Sequence, residues 1–162
     1  PNKPRCDDCP VRARCVARAR GLTAEIPAPK KRGPVPREDL WAVAVVANKK
    51  LLVQQRPATG LLAGMWCLPL LPREGNYGRG GKGVSLAAVR KLTGCKVRGA
   101  APLETTVKHV FSHRIWEMHP CQAQVVGAPT EKSAFAWIDR GRVPAGGIPT
   151  VTRKLLKSLN WA

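Results

Sequence analysis

The chain has 162 residues, 44% of them apolar, with 28 basic against 10 acidic side chains and a formal net charge of +18. That length allows about one domain of ordinary size plus an appendage, and the apolar content supports a packed core and excludes wholesale disorder. A positive surplus this large repels itself, so it points to a polyanionic partner, nucleic acid ahead of a membrane surface, held by phosphate neutralisation and counterion release.

Residues 1–24 carry Cys6, Cys9 and Cys15 in the spacing Cys-x2-Cys-x5-Cys, set among Arg12, Arg14, Arg18 and Arg20. Close cysteines in a reducing compartment predict a metal or an iron–sulfur cluster, although three ligands are one short of the usual four. A chance grouping of unligated thiols is the plainer alternative. Residues 25–38 follow as a basic connector in which Pro27, Pro29, Pro34 and Pro36 forbid a helix and favour an extended path. Its Lys30, Lys31 and Arg32 are either phosphate contacts or a solvated charge run.

Residues 39–162 are expected to form one α+β domain. Leu40 to Ala47 is a continuous apolar run suited to a strand buried on both faces. Asn48-Lys49-Lys50 turns the chain and Leu51 to Gln55 returns beside it. Residues 73–83 are glycine-rich and predict a loop. Ser85 caps a helix with Leu86, Val89 and Leu92 on its apolar side, and Gly94 ends it. Thr105 to His109 and Ile115 to Val125 form a hairpin with His109-Val110-Phe111-Ser112-His113 near its bend. Ala134 to Ile138 is a short strand. Pro149 opens a last helix with an apolar stripe of Val151, Leu155, Leu156 and Leu159 and with Arg153, Lys154 and Lys157 outward. Cys67, Cys95 and Cys121 sit in apolar stretches and are expected to be buried free thiols. No stretch approaches the roughly 20 apolar residues that span a bilayer, and the first residues have no apolar signal core. The expectation is an intracellular protein, cytoplasmic and nucleoid-associated if bacterial, with no membrane partner.

Three motifs carry a family resemblance. Cys6, Cys9-Pro10-Val11 and Cys15 resemble the cluster loop of the endonuclease III and MutY superfamily of DNA glycosylases, whose pattern is Cys-x6-Cys-x2-Cys-x5-Cys; its first cysteine would fall two residues before Pro1. The segment from Arg56-Pro57 through Gly60-Leu61-Leu62, Gly64-Met65-Trp66 and Leu68-Pro69, with the helix ending at Gly94, resembles a Nudix (MutT-like) fold, a mixed sheet flanked by helices. The His109 to His113 run resembles the lesion loop of MutY-type adenine DNA glycosylases. Residues 1–24 would then be the remnant of an iron–sulfur loop, 25–38 the interdomain connector, and 39–162 the Nudix-like recognition domain.

The resemblance implies base-excision repair. A missing N-terminal domain would excise adenine and hold the catalytic residues, so this chain is expected to be inactive alone. Its own part would be recognising 8-oxoguanine opposite adenine in double-stranded DNA. Phe111 would wedge or stack at the lesion, Ser112 would bond the oxidised edge of the base, and His113 and His109 would support the loop or reach the lesion. Cys6, Cys9 and Cys15 would be ligands of a [4Fe–4S] cluster in the full-length protein. Lys30, Lys31, Arg32, Arg12, Arg14, Arg18 and Arg20 would contact phosphates, and the connector is also where a clamp or checkpoint partner would dock. Cys67 stands where many relatives are acidic.

Nudix hydrolases hold Mg²⁺ with glutamates on the helix before Gly94. Counting back from Gly94 puts Lys91 and Leu92 at the two ligand positions, and Ala87-Ala88 at the expected Arg-Glu pair. No Mg²⁺-dependent site is therefore expected. Two rivals remain: a pyrophosphohydrolase of the 8-oxo-dGTP type, and a non-catalytic protein-interaction module.

Overall fold

The structure is a computed structural model that describes residues 4–26, 33–73, 84–130, 132–142 and 144–161. Lys30, Lys31, Arg32 and nearly all of the glycine-rich stretch lie outside the described residues. The chain divides into two compact units, Pro1–Val35 and Pro36–Ala162.

In the first unit a 3-10 turn at Arg12–Arg14 leads into a four-residue helix, α1 (Val16–Ala19), and a second 3-10 turn at Leu22–Ala24. Gly21 joins the last two at φ 68°, a left-handed conformation that suits glycine. None of the described residues of this unit is buried, and Val11 and Val16 are more than half exposed.

The second unit holds two short helices and, among the described residues, one eight-stranded mixed sheet. Strand β1 (Arg37–Ala47) is its centre. Strict alternation sends Leu40, Ala42, Ala44 and Val46 into one core and Trp41, Val43 and Val45 into the other. This is why the sequence shows an unbroken apolar run: both faces are covered. β2 (Lys50–Gln55) returns antiparallel, through a turn in which Asn48 and Lys49 both take positive φ, as a tight hairpin requires. β3 (Trp66–Cys67) pairs with β2, and β4 (Leu70–Pro72) pairs with the start of β1.

Helix α2 (Leu86–Thr93) is capped by Ser85, whose Oγ accepts from the Ala88 N–H at 3.3 Å, and is closed by Gly94 in the left-handed region. Its buried side differs from the expected stripe. Val89 and Thr93 are inside, whereas Leu86 is 42% exposed. Thr93 is tolerated there because its hydroxyl donates to the Val89 carbonyl at 2.8 Å.

β5 (Val97–Pro102) and β6 (Val107–Val110) pair with different halves of the long β7 (Ile115–Val125). β7 in turn runs parallel to β1 from Arg37↔Ile115 to Val46↔Gln124. β8 (Phe135–Asp139) lies against β2. Helix α3 (Thr150–Ser158) starts one residue after Pro149, which acts as its N-cap. It sends Val151, Leu155 and Leu156 into the core that holds Leu40 and Met118. Val89 of α2 belongs to the other core, with Trp41 and Cys121. The two helices thus cover opposite faces of the sheet. Cys67, Cys95 and Cys121 are buried free thiols, as expected from sequence, and burial pushes the Cys121 thiol up to about 12. Among the described residues no helix is long and apolar enough to cross a membrane.

Candidate functional site

The His109 to His113 run closes the β6–β7 hairpin. Val110 pairs with Ile115, and the Phe111 N–H donates to the Arg114 carbonyl at 2.9 Å. Ser112 and His113 form the two-residue tip and are both exposed. Ser112 Oγ lies 3.2 Å from Nδ1 of His113. With the ring proton on Nε2, the hydroxyl donates to Nδ1 and its lone pairs turn outward as acceptors.

The base of this tip is packed and hydrogen-bonded. Phe111 is half-buried and stands edge-on to Trp116 at 5.0 Å between ring centroids and edge-on to His109 at 4.5 Å. Trp116 is buried, and its indole N–H donates to Glu38 Oε2 at 2.8 Å. The other oxygen of Glu38 accepts from Arg114 at 2.6 Å. One carboxylate from the start of β1 thus holds both the floor and the exit of the loop. Sequence reasoning missed Glu38, because its partners lie 76 and 78 residues away and meet it only through the parallel pairing of β1 with β7.

His109 is half-buried, and its Nδ1 is enclosed without a hydrogen-bond partner among the described residues. Desolvation first, and then the positive charge of Lys154 on α3, lower its pKa from the ordinary imidazole value. A neutral ring is the form that packs against Phe111. The Gly60 to Pro69 segment serves a structural purpose: the Trp66 indole donates to the Ala145 carbonyl at 2.8 Å, tying that loop to the turn before α3.

A second polar group is built on the same two strands, β1 and β7. Asp39 accepts from Arg73 at 2.9 Å and meets His119 Nε2 at 2.7 Å, while Thr106 Oγ1 is 3.3 Å from His119 Nδ1. Nothing in the sequence singled out these residues.

The structure does not gather the cysteines. Cys6, Cys9 and Cys15 are half-exposed free thiols, and among the described residues no three or more of His, Cys, Asp and Glu are placed to hold a metal ion. The Cys9 carbonyl is used by the Arg12 N–H, and Cys15 is the N-cap of α1 without a side-chain capping bond. Arg12, Arg14, Arg18 and Arg20 are exposed, with Arg12 bonded to the Asp7 carbonyl and Arg18 ion-paired with the Asp7 carboxylate at 3.0 Å.

On the α2 face an open cleft of about 810 Å³ runs between α2 and β5. Leu86, Val97 and Val126 contribute its apolar lining, Arg90, Lys91 and Lys96 its charge, and among the described residues no carboxylate lines it. α2 itself, from Leu86 to Thr93, contains no acidic residue.

Residues 40–158 match the family model described as NUDIX domain, and the chain belongs to that family. Its fold is the Nudix fold of the α+β class. Three solved structures share it. One is the MutT NUDIX hydrolase from Burkholderia pseudomallei, at 21% identity and TM-score 0.54 over 75% of this chain and 96% of that one. The second is the MutT protein from Methanosarcina mazei Go1, at 14% identity and TM-score 0.59 over 80% and 96%. The third comes from the crystal structure of the complex between the C-terminal domain of mouse MUTYH and human PCNA, at 19% identity and TM-score 0.53 over 76% and 87%. At these identities the likeness establishes the fold.

Proposed function

We propose that the domain reads 8-oxoguanine opposite adenine in duplex DNA with the tip of the β6–β7 hairpin, as the recognition part of an adenine DNA glycosylase of the MutY type. The observation that carries this reading is the exposed Ser112–His113 pair on a base fixed by Phe111, Trp116 and Glu38. Oxidation of guanine at C8 turns N7 from an acceptor into an N–H donor. A Ser112 hydroxyl that donates to His113 Nδ1 presents lone pairs to that new donor and meets an acceptor in ordinary guanine. Phe111, lodged between His109 and Trp116, acts as the fixed edge against which the base step stacks.

The net charge of +18 supplies the general affinity for DNA. Arg14 and Arg20 are in no ion pair among the described residues and would contact phosphates, and Lys30, Lys31 and Arg32 join them in this proposal. In this proposal Cys6, Cys9 and Cys15 would be ligands of a [4Fe–4S] cluster, and no step of lesion reading is assigned to it. The likeness to a domain crystallised with PCNA supports a sliding clamp as a further partner. A pyrophosphohydrolase reading has the MutT neighbours in its favour and the absence of acidic residues from α2 against it.

Fluorescence anisotropy with two duplexes that differ only in 8-oxoguanine or guanine opposite adenine tests the proposal. The expected preference is on the order of tenfold, about 1.4 kcal/mol, and it disappears in Ser112→Ala. Equal affinity of the wild-type chain for the two duplexes would overturn it.

A further inference from the structure

Helix α3 carries three cations on the side that does not face the core. Val151, Leu155 and Leu156 are buried, while Arg153, Lys154 and Lys157 are exposed. No acidic residue occurs between Thr150 and Ser158, and among the described residues no ion pair engages any of the three. Some cations of the domain are matched, Arg37 with Glu117, Lys50 with Asp139 and Arg114 with Glu38, and others, Arg90 and Lys91 of α2 among them, are in no ion pair among the described residues. What sets the α3 row apart is its place.

That position suits an anion from outside. α3 packs against β6, the strand that leads into the hairpin tip. Lys154 is near enough to His109, three residues before Ser112, for its charge to act on that ring. Four residues of helix separate Arg153 from Lys157, a rise of roughly 6 Å, close to two nucleotide steps at about 3.4 Å per nucleotide along one strand.

We propose that α3 is a phosphate-binding strip that seats the DNA backbone beside the hairpin tip, with Arg153, Lys154 and Lys157 neutralising consecutive phosphates next to the base that Ser112 meets. This rests on the lesion-reading role proposed above. The strip supplies register and affinity; the tip supplies the choice of base. It predicts that the domain alone, without the connector cations, keeps a strong salt dependence.

The test measures duplex binding by the full chain from about 50 to 300 mM KCl, using the 8-oxoguanine and guanine duplexes. The variants are R153Q/K154Q/K157Q and, on the opposite face of the sheet, R90Q/K91Q. Each lost phosphate contact lowers the slope of log K against log salt by about 0.9. The α3 variant should therefore lose about 2 to 3 from the slope, weaken both duplexes alike and retain whatever 8-oxoguanine preference the parent shows. R90Q/K91Q should leave the slope unchanged, and R153K should restore part of the loss when introduced alone in place of R153Q. An unchanged slope in the α3 variant, or an equal loss in R90Q/K91Q, overturns the strip. A parent that lacks lesion preference but loses slope in the α3 variant overturns only the lesion reading. Thermal unfolding at an unchanged midpoint confirms that the exposed substitutions leave the fold intact.

Discussion

The two faces of the sheet differ in what their helices offer. α2 covers one face with Val89 and Thr93 and presents Arg90, Lys91 and a half-exposed Leu86 to an open cleft. α3 covers the other with Val151, Leu155 and Leu156 and stands beside a hairpin whose exposed tip is polar and whose base is aromatic. In a Nudix hydrolase the first helix would bear the carboxylates for Mg²⁺. Here those positions are Lys91 and Leu92. The comparison teaches that the packing of this fold does not need carboxylates on α2, since Val89 and Thr93 cover the sheet without them.

The largest effect expected on this contrast comes from the floor of the hairpin. Trp116→Ala removes a buried indole that supports Phe111, and urea unfolding should show a loss of about 3–5 kcal/mol, together with loss of any 8-oxoguanine preference. A change below about 1 kcal/mol would mean the hairpin base is not part of the core. Glu38→Ala is next. It leaves the Trp116 N–H and Arg114 without their shared acceptor, and a loss of about 1–2 kcal/mol is expected, reduced from a fully buried value because the ion pair is partly exposed.

On the α2 face, Ser85→Ala should lower stability by about 0.5–2 kcal/mol through loss of the cap, and leave the ratio of affinities for the two duplexes unchanged. A shift in that ratio would break the separation of the two faces. The smallest effect is a pH dependence at His109. Its folded pKa lies below the ordinary imidazole value, so folding favours the neutral ring. The stability this brings is present above about pH 6.5, the unfolded value, and is lost as pH falls through the lower folded value. Urea midpoints of the wild-type chain should fall relative to those of His109→Phe as pH drops from about 7.5 to 5; parallel curves would show that His109 does not titrate in this way.

Much of the fold was legible because local patterns and tertiary demands agree. The double-faced burial of β1 follows from its unbroken apolar run, the β1–β2 turn from Asn48-Lys49, and both ends of α2 from Ser85 and Gly94. The short strands β3 and β4 and the bulged β5 escaped, since two to six residues interrupted by prolines or glycine give no periodicity to read. The stripe of α2 was misplaced by one position because Thr93, a polar residue, satisfies itself on the helix backbone and takes the buried place expected for Leu92. At the hairpin the sequence pointed to Phe111, Ser112 and His113 as a run. It could not show that Phe111 turns inward against Trp116 while its two neighbours stay outside, nor that Glu38 secures the hairpin base, because the Glu38 bonds span more than 70 residues.

The central claim is that the hairpin face, and not the α2 face, meets the damaged base. Backbone amide chemical shifts of the labelled chain, recorded with the 8-oxoguanine duplex and again with the guanine duplex, test it directly. The difference between the two spectra should concentrate at residues 109–114, with α2 silent. A difference centred on Leu86 to Gly94, or none anywhere, would contradict the account.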